Sequence, residues 1–189
     1  MSVASFAHHH GPWTVDDVLA LPEDRSVRYE LLGESLVMSP APGVRHQRAS
    51  YRLHVALDAA AQAADAPVEV LEAINVILPS GLVVPDIVVA DAGATVEDTV
   101  SIDAEAIQLI IELVSPGNRT MDRKIKPLLY AEAGIPHYWR LEFTPAPRLI
   151  VSELETGRYV EKTIALPGTV TRIETPFPMK IDPAGITQQ

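Results

Sequence analysis

With 189 residues, the chain is long enough to bury one sizeable core and short for two domains, and 47% hydrophobic with 21% charged residues excludes a disordered chain. No apolar run approaches the ~18 residues of a membrane span, and the absence of cysteine excludes disulfides and thiolate metal sites. A formal net charge of −10 excludes nucleic-acid binding by bulk electrostatics, because affinity for a polyanion comes from lysine and arginine neutralising phosphates; such a partner requires a local basic surface.

Residues 1–12, with His8, His9 and His10 in a row, read as a flexible arm ahead of a single domain over 13–189. Adjacent histidines do not face one site on a regular element, so they carry little functional weight. The N-terminus has no basic region followed by an apolar stretch, which predicts no export and a cytoplasmic location. Thr14 is placed to cap a short helix with Asp16 and Asp17 in its first turn, where the helix dipole favours anions. "RYELLGESLVMSP" predicts a hairpin turning at Gly33-Glu34 and closed by Pro40 and Pro42-Gly43.

From Val44 to about Ala64 helical spacing predicts the longest helix, with Leu53, Ala56, Leu57 and Ala60 toward the core. Arg45, Arg48 and Arg52 share this acid-free opening stretch and offer one basic surface. "VEVLEAINVIL" and "LVVPDIVVA" read as two strands joined at Pro79-Ser80-Gly81, and residues from Asp91 to about Ala104 as a surface loop. "IQLIIELVS" is a nearly continuous apolar run, the pattern of a central strand buried on both faces. Asn118 or Thr120 caps the next helix, which ends at Gly134. Arg119, Arg123, Lys124 and Lys126 surround only Asp122 in this segment and form a second basic stretch. Three strands follow, "HYWRLE", "RLIVSELE" and "RYVEKTIAL", the last two joined at Thr156-Gly157. The proline-rich tail carries no assignment. This order of elements predicts an α/β or α+β domain.

Two carboxylates are out of place in this pattern. Asp86 stands in "VVPDIVVAD" and Glu112 in "LIIELV", and a carboxylate inside an apolar strand is costly to bury unless it is paired or holds a metal. Each also has a plain structural reading: Asp86 as a strand-end aspartate bonding a turn after proline, and Glu112 as a buried salt bridge to Arg123 or Lys126. Brought together, the two could hold Mg²⁺ or Mn²⁺ through hard oxygen ligands.

"YELLGESLVMSPAPGVRHQ", "VVPDIVVAD", "IELVSP…DRKIK" and "LLYAEAGIPHYWRLE", in this order from about Tyr29 to Glu142, together resemble the Uma2 family of restriction endonucleases in the PD-(D/E)xK nuclease superfamily. The resemblance implies a restriction-endonuclease-like core, a mixed central β-sheet flanked by helices, with β-hairpins toward both termini. It also implies a divalent metal at the sheet edge and cleavage of phosphodiester bonds. Asp86 then matches the aspartate of the PD motif and Glu112 the acidic residue of the second motif, the two metal ligands. Val114 stands where the superfamily has lysine. In this family the lysine comes from the following helix in a D-x-x-x-K pattern, here Asp122 and Lys126, with Lys124 as the alternative cation. Glu30 matches a glutamate of the first hairpin, a third possible ligand, and His46 a histidine after the proline-rich turn. His137 departs from the family's glutamate before "YW", and Pro127 directly follows the candidate lysine, where it removes a helix hydrogen bond.

The resulting expectation is a Mg²⁺- or Mn²⁺-dependent endonuclease acting on DNA, with Asp86, Glu112 and Lys126 catalytic. Arg45, Arg48, Arg52, Arg119 and Arg123 contact backbone phosphates without reading sequence. A homodimer is the partner expectation, since cutting both strands needs two sites. The rivals are a non-catalytic interaction module that keeps the fold, supported by Pro127 and the missing strand lysine, and a metal-dependent phosphohydrolase on a small substrate.

Overall fold

A computed structural model of the chain describes residues 9–188, apart from residues 23, 25, 97, 116 and 118. Thr14 opens α1 (Val15–Leu19) with a capping box closed by Asp17, which satisfies two backbone donors at the helix start. The expected hairpin follows as β1 (Val27–Leu32) and β2 (Ser35–Pro40). The long helix α2 spans Val44–Ala63 and buries Ala49, Ser50, Leu53, Leu57 and Ala61. Ala56 and Ala60 pack against the same core from its margin.

The two long apolar runs each break in two. The first gives β3 (Val68–Glu72) and β4 (Asn75–Leu78), the second β5 (Gly81–Val83) and β6 (Ile87–Asp91). The breaks face each other: Ala73 takes a positive φ of 53° and its N–H donates to the Asp86 carbonyl, while Pro85 withholds a ladder donor on the other run. Each run therefore crosses from one sheet to another. Gly81 makes the hairpin between β4 and β5 possible. Its φ is +144°, and a Cβ there would lie 2.1 Å from the Leu31 carbonyl oxygen, a contact no side chain tolerates.

The main sheet has six strands in the order β11-β10-β9-β8-β6-β3, built from β8 (Ile107–Val114), β9 (His137–Glu142), β10 (Arg148–Glu155) and β11 (Arg158–Ala165) with β6 and β3. It is mixed: β8 and β9 are parallel and the other pairs antiparallel. A second sheet has the order β2-β1-β5-β4-β7. Its β7 (Ser101–Asp103) pairs in parallel with β4 inside the stretch expected to be loop. Buried Ile102 and Ala104 explain the difference, since a few apolar residues in an acidic segment suffice to dock it.

One face of the main sheet packs on α2 and on the tail, where β12 (Thr171–Ile173), β13 (Met179–Ile181) and α4 (Pro183–Thr187) supply Ile173, Phe177, Met179, Ile181 and Ile186. The other face, with Val88, Ala90, Ile110 and Tyr138, packs on Val76, Leu78 and Val83 of the second sheet and on Tyr130 and Ile135. β8 is thus covered on both sides, as its continuous apolar run implies.

The helix after β8 differs from the expectation at its start. Thr120 is itself helical and makes no side-chain cap, and Asn118 lies outside the described residues. Residues Met121–Ile125 form a wide π-turn, in which the Lys126 N–H reaches the Met121 carbonyl, before α3 (Lys126–Glu132). Pro127 has no N–H to offer, and the Asp122 carbonyl receives the Tyr138 hydroxyl instead. At the far end Gly134, with φ +77°, terminates α3: Gly134 N–H bonds the Ala131 carbonyl and Ile135 N–H that of Tyr130, the Schellman pattern. No helix among the described residues is long and apolar enough to cross a membrane.

Candidate active site

Where the chain crosses between the sheets, Asp86 enters β6 with its side chain buried, 5% exposed. Its local environment is not a turn. Oδ1 lies 2.6 Å from Arg28 Nη1, and Oδ2 accepts the Leu113 N–H at 2.8 Å and lies 3.0 Å from His46 Nε2. Burial raises the pKa of Asp86, but the His46 bond and charge and the Arg28 guanidinium outweigh it and hold the carboxyl at about 2. His46 reaches the site because Gly43 starts α2, placing the third helical residue over the sheet edge. Its Nδ1 is buried and has no partner among the described residues.

Glu112 projects from the opposite direction. It alternates with Leu113, so while Leu113 enters the core under α2, Glu112 faces the helix after β8. Lys126 Nζ donates to Glu112 Oε1 at 2.9 Å and the Tyr130 hydroxyl donates to the same oxygen at 2.6 Å. Lys126 and Tyr130 are one helical turn apart, the spacing that puts two side chains on one face. Lys126 Nζ also lies 2.9 Å from Glu30 Oε1, and that oxygen accepts the N–H of Val84 at 2.9 Å. Glu30 is 3% exposed, so it is no solvent-facing hairpin residue: β1 is an inner strand with β2 and β5 on either side, and its Glu30 face closes over the crossing.

Burial pushes Glu112 up; Lys126 opposes this and the Asp86 charge adds to it, leaving the carboxyl at about 7. Asp122, buried on the inner side of the π-turn, is raised to about 8 by burial and by the Glu112 charge. For Lys126 burial disfavours the ammonium, but the charges of Glu112 and Glu30 dominate and hold it above the ordinary lysine range. Buried Tyr130 is raised well above its ordinary value by burial and by Glu112, so its hydroxyl remains a donor.

Asp86, Glu112, Lys126, Glu30, His46 and Asp122 therefore line one open cleft, together with Arg28. Lys124 does not: it is exposed on the outer side of the π-turn, so Lys126 is the lysine that lines the cleft, and Pro127 does not displace it. The arginines expected to contact phosphates lie outside the cleft. Arg45 sits over the Phe143 ring, 4.8 Å from its centroid, and Arg48 is exposed beside α4. Arg52 donates to the Gln188 carbonyl, Arg119 to Thr144, and Arg123 pairs with Glu142. Of the three histidines in the arm, His8 lies outside the described residues and His9 stacks on Trp13 with centroids 3.8 Å apart.

Neither Arg28 nor Tyr130 is among the residues that the sequence singles out. The signal for Arg28 was its position two residues before Glu30, on the same face of β1; that for Tyr130 was its spacing of four from Lys126. Leu113 enters through its main-chain N–H.

Among the described residues no group of three or more His, Asp or Glu side chains is already disposed as a metal cage. The donor set still suits a hard divalent cation, since Mg²⁺ is commonly bound through one or two carboxylates with water and substrate phosphate completing the shell. Glu112 and Asp122, each raised by burial and by neighbouring negative charge, are the groups whose ionised forms a cation would favour.

A family model described as "Uma2: Putative restriction endonuclease" matches residues 15–184. A solved structure of a "putative nuclease belonging to DUF820" from Anabaena variabilis ATCC 29413 superposes with a TM-score of 0.69, covering 87% of this chain and 90% of that one at 16% identity; at that identity the likeness is one of fold. No curated protein matches. With the family model matching residues 15–184, nearly the whole domain, the chain belongs to the Uma2 family of putative restriction endonucleases.

Proposed function

We propose that this protein is a divalent-metal-dependent endonuclease that hydrolyses phosphodiester bonds in DNA. The observation that carries the reading is the convergence of Asp86, Glu112 and Lys126 on one cleft, with Lys126 Nζ 2.9 Å from Glu112 and 2.9 Å from Glu30. Asp86 and Glu112 would hold Mg²⁺ or Mn²⁺, which when bound supplies Lewis-acid stabilisation and a more acidic water.

The chain's own residues do the rest. Lys126 is kept charged by two carboxylates, so at neutral pH it cannot take a proton from water; its role is to meet negative charge developing on the phosphoryl oxygens. Tyr130 and Lys126 both grip Oε1 of Glu112, fixing the carboxylate plane. Arg28, His46 and the Leu113 N–H do the same for Asp86. Such over-determined carboxylates hold their geometry without reorganising during the reaction. Pro127 leaves Lys126 in the cleft, so the reading of a dead site loses that support. Lys126 from α3 would take the place of the missing strand lysine.

Supercoiled plasmid and single-stranded DNA incubated with Mn²⁺ or Mg²⁺ test the reading. Wild type should cut, and Glu112→Gln prepared identically, or wild type in chelator, should lose at least ~10²-fold in rate. Equal activity in both preparations would mark a contaminant, and a wild type that neither binds metal nor cuts would favour the interaction module.

A further inference from the structure

At the carboxyl ends of the parallel strands β8 and β9, where Val114 lies opposite Glu142, the molecule gathers cations that the cleft does not use. Glu142 is 2% exposed. Its Oε2 accepts Arg148 Nε at 2.9 Å and Nη2 at 2.6 Å, and its Oε1 lies 2.9 Å from Arg123 Nε. The two arginines keep 37% and 39% of their side chains exposed. The loop that follows, from Phe143 to Pro147, is flanked by two more: Arg45 lies over the Phe143 ring, and Arg119 Nη2 donates to Thr144 Oγ1 at 3.1 Å.

Four guanidinium groups drawn from three distant segments thus meet on a protein whose net charge is −10. Among the described residues the carboxylate paired with this set is Glu142, and it is hidden beneath them. Phe143 joins this rim to the cleft: Arg45 lies over its ring, and the ring of His46, a residue of the cleft, is 6.5 Å from it, centroid to centroid. Burying the acid beneath the arginines leaves the cations, and not the carboxylate, facing outward. Guanidinium is also the group that matches phosphate through paired N–H donors, and anchoring it beforehand reduces the entropy lost on binding.

We propose that Glu142 is a positioning residue that holds Arg123 and Arg148, with Arg45 and Arg119 beside them, as a rim gripping the sugar–phosphate backbone of a nucleic-acid strand next to the cleft. This rests on the phosphodiesterase reading of the cleft and adds to it Arg148 and Glu142, neither of which lies in a basic stretch of the sequence.

Binding of a fluorescent duplex oligonucleotide to the full chain in chelator, where no cutting occurs, tests the rim through the slope of log K against log salt. Arg148→Gln should weaken binding several-fold and reduce the slope by about 0.9, one phosphate contact. The Arg123→Gln/Arg148→Gln pair should roughly double that change, and Arg172→Gln, whose arginine pairs with Glu174 on β12, should change nothing beyond the loss of one surface charge. Glu142→Gln should also weaken binding although it makes the protein less acidic; tighter binding would overturn the positioning role, and if this variant fails to fold the arginine variants decide. An unchanged slope in Arg148→Gln, or no oligonucleotide binding by the wild type, overturns the rim. Cleavage with Mn²⁺ measured on the same preparations separates the two readings. A wild type that binds through Arg148 but never cuts keeps the rim and sinks the nuclease, and one that cuts with Arg148 irrelevant does the reverse.

Discussion

Asp122 is the residue at which burial and charge conflict most openly. A carboxyl raised from its ordinary 3.8 to about 8 keeps a proton in the folded state between pH 4 and 8 that the unfolded chain would release. Its contribution to stability is therefore full below pH 4 and is lost as pH rises to 8. In chelator, Asp122→Asn should match the wild type near pH 4 and exceed it by roughly 1–3 kcal/mol at pH 8, read from denaturant midpoints. A variant less stable at pH 8 would show the carboxylate to be satisfied. Tyr130 poses the complementary case, a buried donor on Glu112 Oε1. Tyr130→Phe should cost about 1–2 kcal/mol of stability and reduce cleavage about tenfold, with metal affinity changing less than rate, as expected of a group that orients a ligand rather than binding the cation. That the helix lysine entering the cleft is Lys126 and not Lys124 was legible only through the D-x-x-x-K pattern that the family resemblance implies from Asp122. Arg28 was not, because nothing in one strand says which of its faces another sheet will cover.

Two local features position the site at the level of elements. One is the crossing between sheets, where Ala73 and Pro85 break long apolar runs that each read as one strand. Hydrophobicity alone could not reveal the break, since apolar residues continue on both sides of it, in different sheets. Gly81 anchors this crossing: Gly81→Ala brings a Cβ within 2.1 Å of the Leu31 carbonyl at a φ of +144° and should destabilise by roughly 2–4 kcal/mol. Because β5 pairs with β1, it should also loosen Glu30 and lower activity in whatever fraction remains folded. Calorimetry and a cleavage assay on the same sample would check both. The other feature is the π-turn before α3. π-turns recur at functional sites, and this one keeps Asp122 and Lys126 both buried against Glu112. Pro127 signalled an irregularity there, but its outcome depended on Tyr138, a residue of the neighbouring strand, being available to take the Asp122 carbonyl.

For the whole molecule, a metal that binds only the folded state must raise the unfolding midpoint by mass action. At about 100 times its dissociation constant Mn²⁺ should add about 2.7 kcal/mol, a shift of roughly 5–10 °C for a domain of this size. Glu112→Gln should abolish that shift while remaining folded in chelator. A wild type whose midpoint ignores Mn²⁺ would remove the cation from the proposed chemistry, whatever the family does.

The carboxylates at Asp86 and Glu112, the central strand, the long helix and the family itself could be read from the sequence, because each is written in local pattern: an acid in an apolar run, a period of 3.6, motif blocks in order. Which residues surround those acids was decided only in three dimensions. Arg28 and Tyr130, and beside the cleft the buried Glu142 with its arginines, come from segments far apart in the chain. Their roles depend on which faces become covered when two sheets and a helix close together, and burial and Coulomb energy, which fix those roles, are properties of the packed molecule rather than of any stretch of it.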